Sequence, residues 1–240
     1  MRRIEDLEIK IYADGANKKD ILELYKNPLI KGFTTNPTLV KKAGVTNYSE
    51  FALDLLGEVS DRDISFEVFA DDLPGMEAQG IKIGSWAKNV YVKIPVMNTK
   101  GEHTYPVISA LSERGIKLNI TAVYTAAQIR DIVLALKKDT PAVISVFAGR
   151  MADVGIDPMP CVIAGAHLVN LRPNTELLWA STRELWNIYQ ANDAGCKIIT
   201  VPNDVLKKLS NVGKKNEEDL TRDTVITFLE DATSAGFQLD

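Results

Sequence analysis

The stretch Val90-Tyr91-Val92-Lys93-Ile94-Pro95 decides the fold. Its β-branched and aromatic residues make a buried strand, and the proline stops it. Lys93 stands inside that apolar run, near its C-terminal end. An ammonium in such a place loses much of its hydration, and desolvation penalises the charged form. A lysine amine left neutral attacks carbonyl carbon and forms a Schiff base. A strand lysine taken alone can equally snorkel to solvent or sit in an ion pair. What decides between these readings is the company Lys93 keeps along the rest of the chain.

That chain has 240 residues, enough for one α/β barrel of about 250 residues. With 28 basic and 32 acidic residues the net charge is −4, so no global basic field draws it to nucleic acid or a membrane surface. An anionic substrate therefore needs local arginines. Cys161 and Cys196 form no CxxC pair, which points to a reduced, cytoplasmic setting. His103 and His167 are too few for a His-rich metal site and lie in no ligand motif, so no metal is expected. The N-terminal MRRIEDLEIK lacks the apolar core of a signal peptide, and no apolar run approaches the ~18 residues of a membrane span.

Strand patterns recur at 9–14 (IKIYAD), 32–36 (GFTTN, closed by Pro37), 64–69 (ISFEVF), 90–94, 118–123 (LNITAV), 142–147 (AVISVF), 177–181 (LLWAS) and 197–201 (KIITV). Helical patterns lie between them, at 18–26, 48–59, 73–88, 102–114 with Pro106 disturbing its start, 125–137, a segment ending at 169, 183–193 and 204–209. Residues 149–160 are expected as a loop. After a charged link at 213–216, Val225, Phe228, Leu229 and Ala232 form the stripe of an additional C-terminal helix over 217–237, with Gly236 as its stop. Alternation of this kind means parallel strands and right-handed crossovers. Eight units in this length predict an α/β fold, a (β/α)8 TIM barrel filling 1–240 as a single domain. No GxGxxG or GxxxxGK[ST] follows a strand, which argues against a nucleotide site.

Lys10, Lys31, Lys117 and Lys197 stand at or beside strand beginnings; Lys93 does not. The C-terminal strand ends are polar: Asp14, Thr34 and Asn36, Glu67, Asn119 and Thr121, Ser145, and Ser181. Side chains alternate with period two, so Asn119 shares a face with Thr121 and Ser145 with Phe147. If those faces point inward, the polar groups converge at the end of the barrel where active sites of this fold lie. One polar strand end is a cap or turn; the repetition around an interior lysine favours a catalytic site. Asp14 and Glu67 are the carboxylates placed for acid–base work. Thr121 could hold a water for Glu67, and Asn36, Asn119 and Ser145 suit a polyhydroxy substrate. Arg150 and Arg183, with Ser181, suit a phosphate or similar anion beside a helix N-terminus near Arg183.

GFTTNP, VYVKIP, LNITAVYTAAQ, ISVFAGR and LLWASTR, in that order and flanked by YAD and KIITVP, resemble the transaldolase family over nearly the whole chain. The resemblance implies a barrel of the class I aldolase type with the Schiff-base lysine at Lys93 and proton transfer by Asp14. It also implies a water held by Glu67 and Thr121. Substrate contacts fall at Thr34, Asn36, Asn119, Ser145 and Phe147, and phosphate contacts at Arg150, Ser181 and Arg183. No cofactor is implied. The length is that of the family's short group, which contains transaldolases and fructose-6-phosphate aldolases. Glu67 and Phe147, where the aldolases tend to carry glutamine and tyrosine, lean toward transfer of a dihydroxyacetone unit between sugar phosphates. YADGAN, where short members read LDTAN, and Trp179 and Trp186 depart from the pattern. An aldolase releasing free dihydroxyacetone and a non-catalytic sugar-phosphate binder are the alternatives. A homo-oligomer is expected, with the C-terminal helix packed on its own barrel or on a neighbour.

Overall fold

A computed structural model describes residues 2–238. Eight parallel strands close on themselves in sequence order, β1 hydrogen-bonding both β2 and β8. The strands are β1 Lys10–Asp14, β2 Ile30–Thr34, β3 Asp63–Glu67, β4 Val90–Pro95, β5 Leu118–Val123, β6 Ala142–Val146, β7 Thr175–Trp179 and β8 Ile198–Pro202. The helices are α1 Lys18–Tyr25, α2 Pro37–Lys42, α3 Tyr48–Glu58, α4 Leu73–Gly84, α5 Tyr105–Glu113 and α6 Ala126–Ala135. They continue with α7 Ala148–Asp153, α8 Met159–Val169, α9 Asn187–Asp193, α10 Asn203–Leu206 and α11 Glu217–Ser234. The expected (β/α)8 barrel is therefore the observed one.

Period-two alternation builds two separate cores. Ile11, Phe33, Ile64, Phe66, Val92, Ile94, Ile120, Ile144, Leu177, Ile199 and Val201 point outward and pack under the helices, each essentially without exposure. Burying one such side chain stabilises the fold by about 1.5–3 kcal/mol. The inward residues Tyr12, Val143, Leu178, Ala180 and Ile198 fill the barrel, with Tyr91 and Phe147 against them. Gly32 makes room for this filling: a Cβ there would lie 2.6 Å from the Tyr12 ring. The Tyr12 hydroxyl donates to Asp63 at 3.2 Å. Lys10 pairs with Glu176 and Lys197 with Glu8, so these strand-start lysines sit at the bottom as expected.

The structure differs from the sequence expectation in four places that matter for the site. Pro37 does not close β2, which ends at Thr34 and leaves Asn36 beyond it; Pro37 occupies the first turn of α2, whose N-cap is Asn36, with its Oδ1 accepting from the Leu39 N–H. Residues 149–160 are not all loop, because α7 forms at their start. β7 ends at Trp179, so Ser181 lies beyond it rather than on it, in the left-handed region at φ 65°. The helix after β7 begins at Asn187, not Arg183; the Asn187 side chain accepts from the N–H groups of Arg183 and Glu184. Pro106, by contrast, sits in the first turn of α5 and does not disturb it. No helix among the described residues is long and apolar enough to cross a membrane.

Candidate active site

Parallel register sets Glu67 beside Lys93 and Lys93 beside Asn119, so three neighbouring strands deliver three polar side chains at one level. Lys93 and Asn119 face a cavity of about 290 Å³ at the C-terminal end of the barrel. Eleven of the twelve residues singled out from the sequence line it: Asp14, Thr34, Asn36, Lys93, Asn119, Thr121, Ser145, Phe147, Arg150, Ser181 and Arg183. Glu67 is the exception. It reaches the cavity through Lys93, its Oε2 lying 3.2 Å from Nζ.

Lys93 is buried, 6% exposed, and its Nζ donates to the Thr35 carbonyl at 3.0 Å. The desolvation expected from sequence is thus present but not alone, because a carboxylate and a carbonyl oxygen stand at the same nitrogen. Glu67 is itself fixed at its backbone, where its N–H donates to the Tyr48 hydroxyl at 2.9 Å. Tyr48 packs edge-on against Phe66 and Phe69, and burial pushes its phenol up to about 12. The hydroxyl is therefore neutral at physiological pH and available as a hydrogen-bonding support for this corner of the site.

Beside the lysine, a relay of hydroxyl and amide groups runs through the barrel. Ser145 Oγ donates to Asn119 Oδ1 at 2.7 Å, and Asn119 Nδ2 donates to Ser65 Oγ at 2.9 Å. The relay fixes the amide orientation of Asn119. Thr121 Oγ1 is buried without a hydrogen-bond partner among the described residues. An unpaired buried hydroxyl costs about 1–3 kcal/mol, so it is suited to pair with a substrate hydroxyl or water in the cavity.

Asp14 accepts from Thr34 Oγ1 at 2.9 Å, and Thr34 in turn contacts the Thr200 hydroxyl. Burial pushes the Asp14 carboxyl above the ordinary carboxylate range, against the Lys93 charge and the Thr34 hydroxyl, which both favour the ionised form. A carboxyl poised upward in a cavity is placed for proton transfer.

At the other side of the mouth, Arg150 lies over the Phe147 ring, 5.2 Å from its centroid. Phe147 follows β6 rather than belonging to it, and packs edge-on against Tyr124. Arg183 is not a free cation: its guanidinium is held by Asp153 at the end of α7. α7 and the segment after β7 meet at Gly149, where a Cβ would fall 1.6 Å from the Ser181 carbonyl oxygen. Only glycine allows that approach. Trp179 points outward into the helix layer and Trp186 stacks on Tyr189, so neither tryptophan lines the cavity.

Sequence reasoning missed Ser65, Thr200, Thr38, Lys42 and Tyr48. Ser65 stands two residues before Glu67 and Thr200 is the polar residue inside KIITVP, two positions after the inward Ile198, so the period-two rule finds both. Thr38 and Lys42 belong to the unforeseen α2 and carried no signal.

The family model described as "Transaldolase/Fructose-6-phosphate aldolase" matches residues 11–240. A probable transaldolase of Clostridium acetobutylicum is 34% identical over 202 residues, 84% of this chain and 89% of that one. A probable transaldolase of Methanococcus maripaludis is 33% identical over 228 residues, covering 93% and 97%. One of Geobacillus thermodenitrificans is 32% identical over 204 residues, covering 85% and 91%. The chain belongs to the transaldolase/fructose-6-phosphate aldolase family.

The state of Asp14 gives a stability test. A carboxyl whose native value lies above its unfolded value of 3.8 favours the protonated native state. Its contribution is present in acid and is lost as pH rises through the native value. Asp14→Asn is therefore expected to melt at a higher temperature than wild type at about pH 7, with the gap closing toward about pH 4. A variant less stable than wild type at neutral pH, or a gap independent of pH, would count against this.

Proposed function

We propose that the protein is a transaldolase that moves a dihydroxyacetone unit from a ketose phosphate to an aldose phosphate through an imine on Lys93. The observation that carries this reading is the buried Lys93 amine, held by Glu67 and Thr35 at the centre of a polar cavity with two arginines at its mouth. The names of the three relatives are in keeping with it.

Glu67, at 3.2 Å, is close enough to take a proton from the Lys93 ammonium. The free amine adds to the ketose carbonyl carbon, and the carbinolamine loses water to give an iminium. Asp14 then accepts the proton of the hydroxyl on the far carbon of the bond to be broken, the carbon that becomes the aldehyde of the departing aldose. That carbon–carbon bond cleaves, its electron pair flows into the iminium as an enamine, and the aldose leaves. An incoming aldose phosphate is attacked by the enamine carbon, and Asp14 returns its proton to the new alkoxide. Hydrolysis of the second iminium, with a water supported by Glu67 and Thr121, frees the product and the amine. Asn119 and Ser145, oriented by their relay, suit the hydroxyls of the three-carbon unit. Thr34 and Asn36 border the same space, although the Asn36 side chain also caps α2. Arg150, Ser181 and Arg183 suit the phosphate. Every step draws on side chains of this chain, on the substrates and on water, and none calls for a cofactor.

Transfer demands that the enamine outlive departure of the first aldose. The Phe147 ring borders the cavity and offers no hydroxyl to position a hydrolytic water, which favours transfer over release. With fructose 6-phosphate and erythrose 4-phosphate, transfer is expected to outpace release of free dihydroxyacetone, and Phe147→Tyr to shift the balance toward release. Equal rates with and without the acceptor would favour the aldolase. Bound sugar phosphate with no turnover of either kind would favour the binding protein.

The proposal extends to a homo-oligomer working in the cytoplasm, with Cys161 and Cys196 as free thiols. α11 has no buried residue, and Leu220, Val225, Ile226, Phe228 and Leu229 are all exposed on it. The chain also carries a groove of about 530 Å³ whose apolar lining comes from Leu185, Trp186, Tyr189, Val212 and Leu220, with Lys214 and Lys215 on the same groove. A second copy supplies the matching apolar surface for such a helix. Light scattering is expected to give a multiple of 26.5 kDa for wild type and smaller species for a Phe228→Glu, Leu229→Glu variant. A monomeric wild type would rule this arrangement out.

A further inference from the structure

The arginine expected to bind the substrate's anionic end is engaged by a carboxylate. Arg183 Nε donates to Asp153 Oδ1 at 3.0 Å and to Oδ2 at 3.1 Å, and Nη2 donates to Oδ2 at 2.6 Å. A surface ion pair would ordinarily deserve little weight, since exposed pairs contribute little. This one differs in where it stands. Both arginines line the catalytic cavity, and Asp153 lies three residues after Arg150 on α7.

We propose that Asp153 is a positioning residue of the anion site, gripping one edge of the Arg183 guanidinium so that the opposite edge is presented to the cavity. The inference rests on the reading that this cavity takes a phosphorylated substrate. A guanidinium carries five N–H donors in a planar fork. Asp153 takes the Nε–H and one Nη2–H, which leaves both Nη1 hydrogens and the second Nη2 hydrogen. Those three form the end-on fork that matches two oxygens of a phosphate. Arg183 is about half exposed, with a side-chain exposure of 47%, so without the clamp its long side chain would sample many rotamers in solvent.

The helix that carries the clamp is itself fixed. Gly149 brings its first turn against the Ser181 carbonyl, Ser181 sits in the left-handed region, and the Phe147 ring carries Arg150. α7 thus presents one arginine directly and holds the other through Asp153. Both neighbouring arginines keep the Asp153 carboxyl below the usual carboxylate range, the Arg183 hydrogen bonds foremost. The clamp therefore stays ionised wherever a sugar phosphate is doubly charged.

Charge and position predict opposite signs, which makes the idea testable. Removing a carboxylate from beside an anion site strengthens anion binding if Asp153 acts only through its charge. It weakens binding if Asp153 acts by aiming Arg183. The measurements are calorimetric binding of inorganic phosphate, and steady-state kinetics with fructose 6-phosphate and unphosphorylated fructose as donors. The proteins are wild type, Asp153→Ala, Asp153→Glu, Arg183→Ala and the Asp153→Ala, Arg183→Ala double variant.

Asp153→Ala is expected to weaken phosphate about tenfold and raise KM for fructose 6-phosphate similarly, with kcat within about twofold and fructose unaffected. Asp153→Glu is expected to recover part of the loss, and Asp153→Ala to add nothing in the Arg183→Ala background. Tighter phosphate binding by Asp153→Ala overturns the proposal. So does an undiminished effect in the Arg183→Ala background, or equal losses for both donors, or no phosphate binding by wild type. If the phosphate results are as expected and no ketose is turned over, the clamp stands and the transaldolase reading fails.

Discussion

The structure turns on a single buried contact, the Lys93 amine 3.2 Å from the Glu67 carboxylate and 3.0 Å from the Thr35 carbonyl. Placing a lysine inside a barrel is costly unless its charge is paired and hydrogen-bonded. Parallel register answers this cost by setting β3 and β4 so that Glu67 and Lys93 are direct neighbours. The wall behind them is apolar, with Phe66, Val92 and Ile94 turned outward under the helices. The wall in front is polar, with Asn119, Ser65 and Ser145 locked in one hydrogen-bonded relay. The amine is thus buried in a structure that stabilises it at one point and opens to a cavity at another.

The site departs from what stability alone would select. Asp14 is pushed above its ordinary range by burial, Thr121 has a buried hydroxyl without a partner among the described residues, and Ser181 adopts a left-handed backbone. Each of these is unfavourable in isolation. They gather in one cavity, whereas the helix-facing core is continuous and apolar. Such clustering is how functional sites are set apart from scaffold.

Most of the barrel was legible in the sequence, because strands covered on both faces leave an unmistakable record. Most strands are short runs of mainly β-branched and aromatic residues that turn polar on the inward face toward the C-terminal end, and β5 spans the very residues the pattern marks, Leu118–Val123. Period-two alternation brought Asp14, Lys93, Asn119, Thr121 and Ser145 to one cavity. What escaped lay just past the strands, where period two no longer applies. α2 and α7 are each six residues long, too short for helical periodicity to register. α2 is held by the Asn36 cap, and α7 by packing against the Ser181 segment through Gly149. Missing α7 meant missing Asp153, and with it the partner of Arg183. Glu67 stands at an upper strand end as the pattern indicates, yet its carboxylate meets Lys93 rather than lining the cavity, a distinction of side-chain reach that strand patterning does not carry.

The central claim is that Lys93 carries the covalent intermediate. Borohydride reduction of the enzyme with fructose 6-phosphate, without acceptor, followed by peptide mass analysis, tests it most directly. The account predicts a reduced three-carbon dihydroxy adduct on the peptide containing Lys93, and none on the Lys93→Arg variant. An adduct on another lysine, or an active enzyme that traps nothing, would contradict it.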